Sequence, residues 1–170
     1  MKILLSHWPK LLATSLLAVG LIILYCILFY NLGVLPLGGK KAPSFVLVLI
    51  LQYFLVKKVF KSDASHFLKI FLFQYVYILL IAIFSSLSLY FFYLSDLGIG
   101  VLNEYIQLSV SELQQFKTVI IEQEGIGYYK MLLNGINGID AGSIAKDDFT
   151  QKIVLSFLPN LLIALYFKKN

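Results

Sequence analysis

Arginine is missing from these 170 residues, so every basic side chain is lysine. Specific phosphate and nucleic-acid sites favour the planar guanidinium fork, so a net charge of +5 carried by lysine alone does not point to a nucleic-acid partner. It fits ammonium groups that orient helices and meet lipid headgroups. Cysteine occurs once, at Cys26 inside an apolar run, which excludes an intrachain disulfide and a cysteine metal cluster. Histidine occurs twice, at His7 and His66; two imidazoles without a third ligand make a poor zinc site. Both belong at a membrane edge, where the single tryptophan, Trp8, reads as an interface anchor. Charge itself is scarce: 14% of residues are charged against 59% hydrophobic and 15% aromatic. Too few polar side chains remain to cover a water-soluble domain of this length, so lipid must cover it.

What is present is a set of four charge-free apolar runs, Leu11–Gly39, Ala42–Val56, Ile70–Ser95 and Ile153–Phe167. A helix needs about 20 residues to cross roughly 30 Å of hydrocarbon. The first run is too long for a signal-peptide core, and Leu24-Tyr25-Cys26 is a poor lipoprotein site, so an uncleaved span over 11–30 is expected. Asn31-Leu32-Gly33, Pro36 and Gly38-Gly39 then supply a turn. The second span, 43–60, reaches full length if Lys57 and Lys58 snorkel toward headgroups. The third, 67–94, is longer than required and carries Ser85, Ser86 and Ser88, which can bond to their own helix or to a neighbour. The fourth, 149–167, contains Pro159-Asn160, where a kink is expected; Asp147 and Asp148 precede it and Lys168 and Lys169 follow, as the helix dipole favours.

Lysines set the expected orientation. Lys2, Lys10, Lys57, Lys58, Lys61, Lys69, Lys168 and Lys169 fall on one side of such a four-span layout. Lys40, Lys41, Lys117, Lys130, Lys146 and Lys152 fall on the other, together with eight acidic residues from Asp96 to Asp148. The positive-inside rule then places both termini in the cytoplasm and makes 96–148 extracytoplasmic.

Within that outer segment, Leu102, Ile106, Leu113, Phe116 and Ile120 form one apolar stripe at helical spacing over 101–121, although Gly98 and Gly100 argue for a break before it. Beyond Glu124 the chain is glycine-rich. Tyr128–Ile136 reads as a second short amphipathic piece, and Asn134-Gly135 and Asn137-Gly138 as turns. Residues 126–145 are expected either to lie at the interface or to form a re-entrant hairpin, the latter requiring partners at depth for Lys130 and Asp140.

The paired spans, the aromatic stretch His66-Phe67-Leu68-Lys69-Ile70-Phe71-Leu72-Phe73, the amphipathic acidic segment and the Tyr166-Phe167-Lys168-Lys169 tail resemble a domain-of-unknown-function family (DUF4199-like) of small four-span bacterial inner-membrane proteins common in Bacteroidetes. Asp63-Ala64-Ser65 matches that family's pattern ahead of the third span only thinly. The resemblance implies a fold and a compartment and supplies no mechanism.

The chemistry-bearing residues are few. No ionisable side chain falls near the midpoint of the four expected spans. The polar residues inside them are Gln52, Gln74, Ser85, Ser86, Ser88 and Asn160, with Thr14, Ser15 and several tyrosines. Such residues more often hold helices together than bind cargo; Gln52, Gln74 and Asn160 are the candidate intramembrane polar site. Among the outer carboxylates Glu104, Glu112, Glu122, Glu124, Asp140, Asp147 and Asp148, Glu122 and Glu124 are two apart and share no helix face, Asp140 to Asp148 lacks calcium-loop spacing, and a solvated or helix-capping role is expected. There is no phosphate-binding glycine loop, zinc motif, nucleophile elbow or dinucleotide fingerprint, so no catalytic residue, cofactor or metal is expected. The expectation is therefore an all-α membrane protein with four transmembrane helices and an amphipathic, mostly helical extracytoplasmic segment between helices 3 and 4. Its expected role is structural or regulatory, as an accessory subunit acting through the lipid bilayer, a membrane-protein partner or a homo-oligomer. The alternative is a small oligomeric transporter or channel, whose hallmark is the meeting of Gln52, Gln74 and Asn160.

Overall fold

The computed structural model describes residues 2–60 and 66–168. Lys61, the Asp63-Ala64-Ser65 stretch and Lys169 lie outside the described residues, as does the Lys2 side chain. Among the described residues there is no strand, and four helices are long and apolar enough to cross a membrane. The protein is all-α, and two compact units divide it: Met1–Leu87 with Asp147–Asn170, and Ser88–Lys146.

The first unit holds most of the apolar helices' length. A short α1 (Lys2–Ser6) leads into α2 (Trp8–Asn31), which starts earlier than the charge-free run because Pro9 is tolerated in its first turn, where no intrahelical donor is needed. It stops at Gly33, whose φ of +75° suits glycine and ends the helix. A 3-10 turn over Gly38–Lys41 then leads to α3 (Ser44–Phe60). The third span is α4 (Phe67–Leu94), the range expected. The core between helices is apolar and aromatic: Leu11, Ile22, Val56, Phe60, Phe73, Ile78 and Ile81 are buried together. Phe60 meets Phe73 edge to face at 5.3 Å, a favourable ring geometry. Outward-facing Leu24, Ile27, Phe54, Leu68 and Phe157 remain more than 40% exposed, as lipid-facing side chains should.

The last helix departs from expectation. It runs over Ala141–Phe167 instead of starting at Phe149, so Asp147 and Asp148 lie inside it and do not precede it. Helix N-terminal signals explain the earlier start. Asp140 Oδ1 accepts the Ser143 N–H at 2.7 Å while the Ser143 hydroxyl accepts the Asp140 N–H at 2.8 Å, a reciprocal cap. These bonds hold the Asp140 carboxyl below the usual carboxylate range. Pro159 sits within the helix and has no N–H to offer the carbonyl four residues back.

The second unit contains α5 (Asp96–Gln115), α6 (Lys117–Glu124) and α7 (Ile126–Asn137). The break after α4 comes at Ser95, whose hydroxyl caps α5 by accepting the Gly98 N–H at 3.2 Å; Gly98 and Gly100 are helical. Gly98 is there for closeness, because a Cβ on it would lie 1.9 Å from the Phe92 carbonyl oxygen. The apolar stripe is not one continuous helix: Phe116 separates α5 from α6 and is 55% exposed, while Leu102 and Leu113 are buried. Gly125, at φ +86°, makes the next corner. Asn134-Gly135 lies inside α7 and makes no turn, since the packing of α7 on α5 and α6 overrides a local preference of about 1 kcal/mol. Asn137-Gly138 does end that helix.

Candidate functional site

Gln52 of α3, Gln74 of α4 and Asn160 of α8, the helix over Ala141–Phe167, come from positions up to 108 residues apart and meet in the first unit. All three are fully buried. Gln52 Nε2 donates to Gln74 Oε1 at 2.6 Å and to Asn160 Oδ1 at 2.5 Å. Gln74 Nε2 donates in turn to the carbonyls of Ile70 at 3.3 Å and Asn160 at 3.2 Å. The amide orientations follow from those carbonyls. Two backbone oxygens require the Gln74 nitrogen to face them, which turns its oxygen toward Gln52. That requires nitrogen on Gln52, and hence oxygen on Asn160. With every amide so set, Gln52 Oε1 and Asn160 Nδ2 have no hydrogen-bond partner, and neither has the hydroxyl of fully buried Tyr77. These three are the buried unpartnered side-chain atoms among the described residues. They comprise an acceptor, a double donor and a hydroxyl that can do either.

A second polar cluster lies along the same helix. Asp148 Oδ1 accepts from Lys152 Nζ at 2.5 Å, one turn on, and from Lys41 Nζ on the 3-10 turn. Its other oxygen accepts the Ser85 hydroxyl at 2.7 Å. Asp148 and Lys152 are both buried. The expectation that Asp148 is a solvated or capping carboxylate is therefore corrected: it is buried inside α8 and bonded to two lysines, Lys152 of the same helix and Lys41 of the turn before α3. A charge pair tolerates such a place when each partner satisfies the other. The other outer carboxylates, Glu104, Glu112, Glu122, Glu124, Asp140 and Asp147, are exposed. Among the described residues no group of three or more His, Cys, Asp or Glu is placed to hold a metal ion.

The two clusters share one row of α8. Asp148, Lys152, Ser156, Asn160 and Ala164 are buried and recur every fourth residue, a single i±4 ridge. The row spans about 18 Å from Asp148 to Asn160 at 1.5 Å per residue. That spacing is readable in the sequence and would have found Asp148 and Lys152. Three further intramembrane hydroxyls serve their own helices: Ser15 donates to the Leu11 carbonyl at 2.7 Å, Ser86 to Ile83 at 3.1 Å, and Thr14 to Lys10. The His7 ring is paired with the Ser6 hydroxyl at 2.9 Å, and His66 is exposed ahead of α4. Comparison of the chain with protein-family models, with curated proteins and with solved structures gave no match.

Proposed function

We propose that this protein is a small membrane transporter that holds a neutral, hydrogen-bonding solute between α3, α4 and α8. One observation carries the reading: Gln52 Oε1, Asn160 Nδ2 and, one turn beyond Gln74 on α4, the Tyr77 hydroxyl are each buried without a hydrogen-bond partner. Each such group costs about 1–3 kcal/mol when left without a partner, and a solute with both donor and acceptor groups recovers that loss. Neutral solutes fit because the amide cluster itself carries no charge. The cluster lies inside a single chain, so one copy supplies the whole site.

Stopped-flow light scattering on vesicles reconstituted with the protein tests this, with glycerol and urea as probes. Solute entry faster than in empty vesicles is expected, together with its loss in Asn160→Leu and Tyr77→Phe. Entry no faster than in empty vesicles for either probe overturns the proposal. A second reading then stands, that of an accessory or structural subunit, favoured by the same side chains acting as cross-helix ties among α3, α4 and α8. Its test is recovery of a reproducible protein partner after mild cross-linking in native membranes.

A non-enzymatic role belongs to the same proposal, supported by the exposure of seven of the eight outer carboxylates. So do a bacterial inner-membrane location, the likeness to the four-span family and cytoplasmic termini. The lysine bias supports that orientation more strongly once Lys152 is withdrawn from the sparse side, since it lies within the bundle. Labelling of cysteines introduced at either end, on a Cys26→Ala background, checks it: reaction of both ends only after the inner face is opened is the expected result.

A further inference from the structure

Lys41, Lys152 and Asp148 do not cancel. Two ammonium groups face one carboxylate, and both donate to the same oxygen, Asp148 Oδ1. The second oxygen is already taken by Ser85. Each ammonium has three donors, so four of the six N–H groups are left without an acceptor inside the cluster. Lys152 is 6% exposed, and the Lys41 side chain 13%. A surplus positive charge is thus held where little water can solvate it, alongside a surplus of donors.

We propose that this cluster is a binding site for a phosphate-class oxyanion, with Lys41 and Lys152 as its ligands and Asp148 and Ser85 as the groups that hold the lysines in place. The proposal is independent of the solute reading above, since it uses none of the amide cluster. Charge decides the class of ligand: an anion neutralises the surplus, whereas a cation or a neutral solute leaves it. Donor number decides the shape. A tetrahedral oxyanion offers several acceptor oxygens to N–H groups diverging from two ammoniums, and a monatomic anion offers a single centre. Access is supplied by Lys41, which sits on the 3-10 turn between α2 and α3 and keeps part of its side chain open. Lys40, the next residue, is exposed and has no bond to Asp148, which makes it the natural control.

The same chemistry is offered by free inorganic phosphate and by the headgroup of an anionic phospholipid. Purified full-length protein in an uncharged detergent is titrated with sodium phosphate, against sodium chloride of matched ionic strength, and separately with phosphatidylglycerol against phosphatidylcholine. Thermal unfolding and native mass spectrometry are the readouts. A saturable rise in unfolding temperature is expected with at least one oxyanion probe beyond its control. Lys41→Gln is expected to weaken that binding about ten-fold or more, as losing a charge-assisted bond does, while Lys40→Gln and the charge-conserving Lys41→Arg retain it. Response to phosphate identifies a soluble anion, and response to phosphatidylglycerol alone identifies a lipid headgroup. If the wild type responds to neither, or if Lys41→Gln binds as the wild type does, the assignment is wrong. The wild-type titrations decide the matter even where a variant fails to fold.

Discussion

Replacing Gln52 by leucine isolates what the amide cluster contributes. The side chains are close in volume, so the change is mainly one of polarity. Gln52 Nε2 is the shared donor of the cluster, bonded at 2.6 and 2.5 Å. Its removal leaves Gln74 Oε1 and Asn160 Oδ1 buried with nothing to accept. In a soluble core each such atom would cost about 1–3 kcal/mol. In a bilayer the unfolded reference also finds partners, and cross-helix bonds average about 0.6 and reach about 1.7 kcal/mol. Two bonds then give a destabilisation of about 1–3 kcal/mol. Gln74→Leu should cost less, because its other contacts are to backbone carbonyls that retain helical partners. Asn160→Leu should cost least, since it also removes the unpartnered Nδ2. The triple leucine variant carries no buried amide and should recover to within about 1 kcal/mol of wild type or exceed it, as exchanging a whole polar set for apolar side chains commonly does. Reversible unfolding in mixed micelles, followed by circular dichroism, gives the four values. A Gln52→Leu protein as stable as wild type, or a triple variant as weak as the three singles summed, refutes the donor-sharing account.

Asp148→Ala strands the buried Lys152 ammonium and the partly buried Lys41 one and should be the most damaging single change, about 3–5 kcal/mol as for other broken buried pairs, whereas Ser85→Ala removes one hydroxyl and should cost about 1–2 kcal/mol; the same unfolding assay ranks them. Gly98→Ala should disrupt the corner between α4 and α5, because its Cβ meets backbone, while Gly100→Ala, with open space around its Cβ, should gain up to about 1 kcal/mol of helix propensity. Hydrogen exchange over residues 92–102 separates the two. The Asp140–Ser143 cap is pH-dependent: its carboxyl titrates lower in the folded chain than its ordinary value of 3.8, so the stabilisation is complete above that value and is lost as pH falls through the folded one. Protection of the Gly142 and Ser143 amides, measured against the intrinsic exchange rate at each pH, should therefore fall in acid, and Asp140→Asn should remove most of that dependence.

The three earlier apolar helices were legible because a charge-free run of spanning length admits few other structures. The start of the last helix is less legible for the complementary reason. Charge ordinarily marks a boundary, and α8 carries Lys146, Asp147, Asp148 and Lys152 through it because Asp148 and Lys152 are paired inside the fold. No pattern in the chain announces that the partner is Lys41, which is 107 positions away. Gln52, Gln74 and Asn160 were conspicuous as amides in apolar surroundings, and their meeting needed only the helices to pack. Tyr77 was not, being one of eleven tyrosines, most of them expected at interfaces. The break at Phe116 lacks the glycine or proline that marks most breaks, so the stripe read as one helix.

Between the charged and the amide clusters the α8 row has one residue, Ser156, and its hydroxyl is turned to its own helix, donating to the Ile153 carbonyl at 2.9 Å. It therefore completes no hydrogen-bonded chain from Asp148 to Asn160. A proton relay needs such a chain or water in its place, and a side chain committed to its own backbone provides neither. Two separate sites on one ridge are the simpler account: a charged one whose surplus is positive, and a neutral one with donor and acceptor to spare. Ser156→Ala discriminates, because separate sites predict unchanged oxyanion response and unchanged solute entry. Loss of both in that variant, with the protein still folded, would mean that the row works as a single path and that the serine leaves its backbone bond during the cycle.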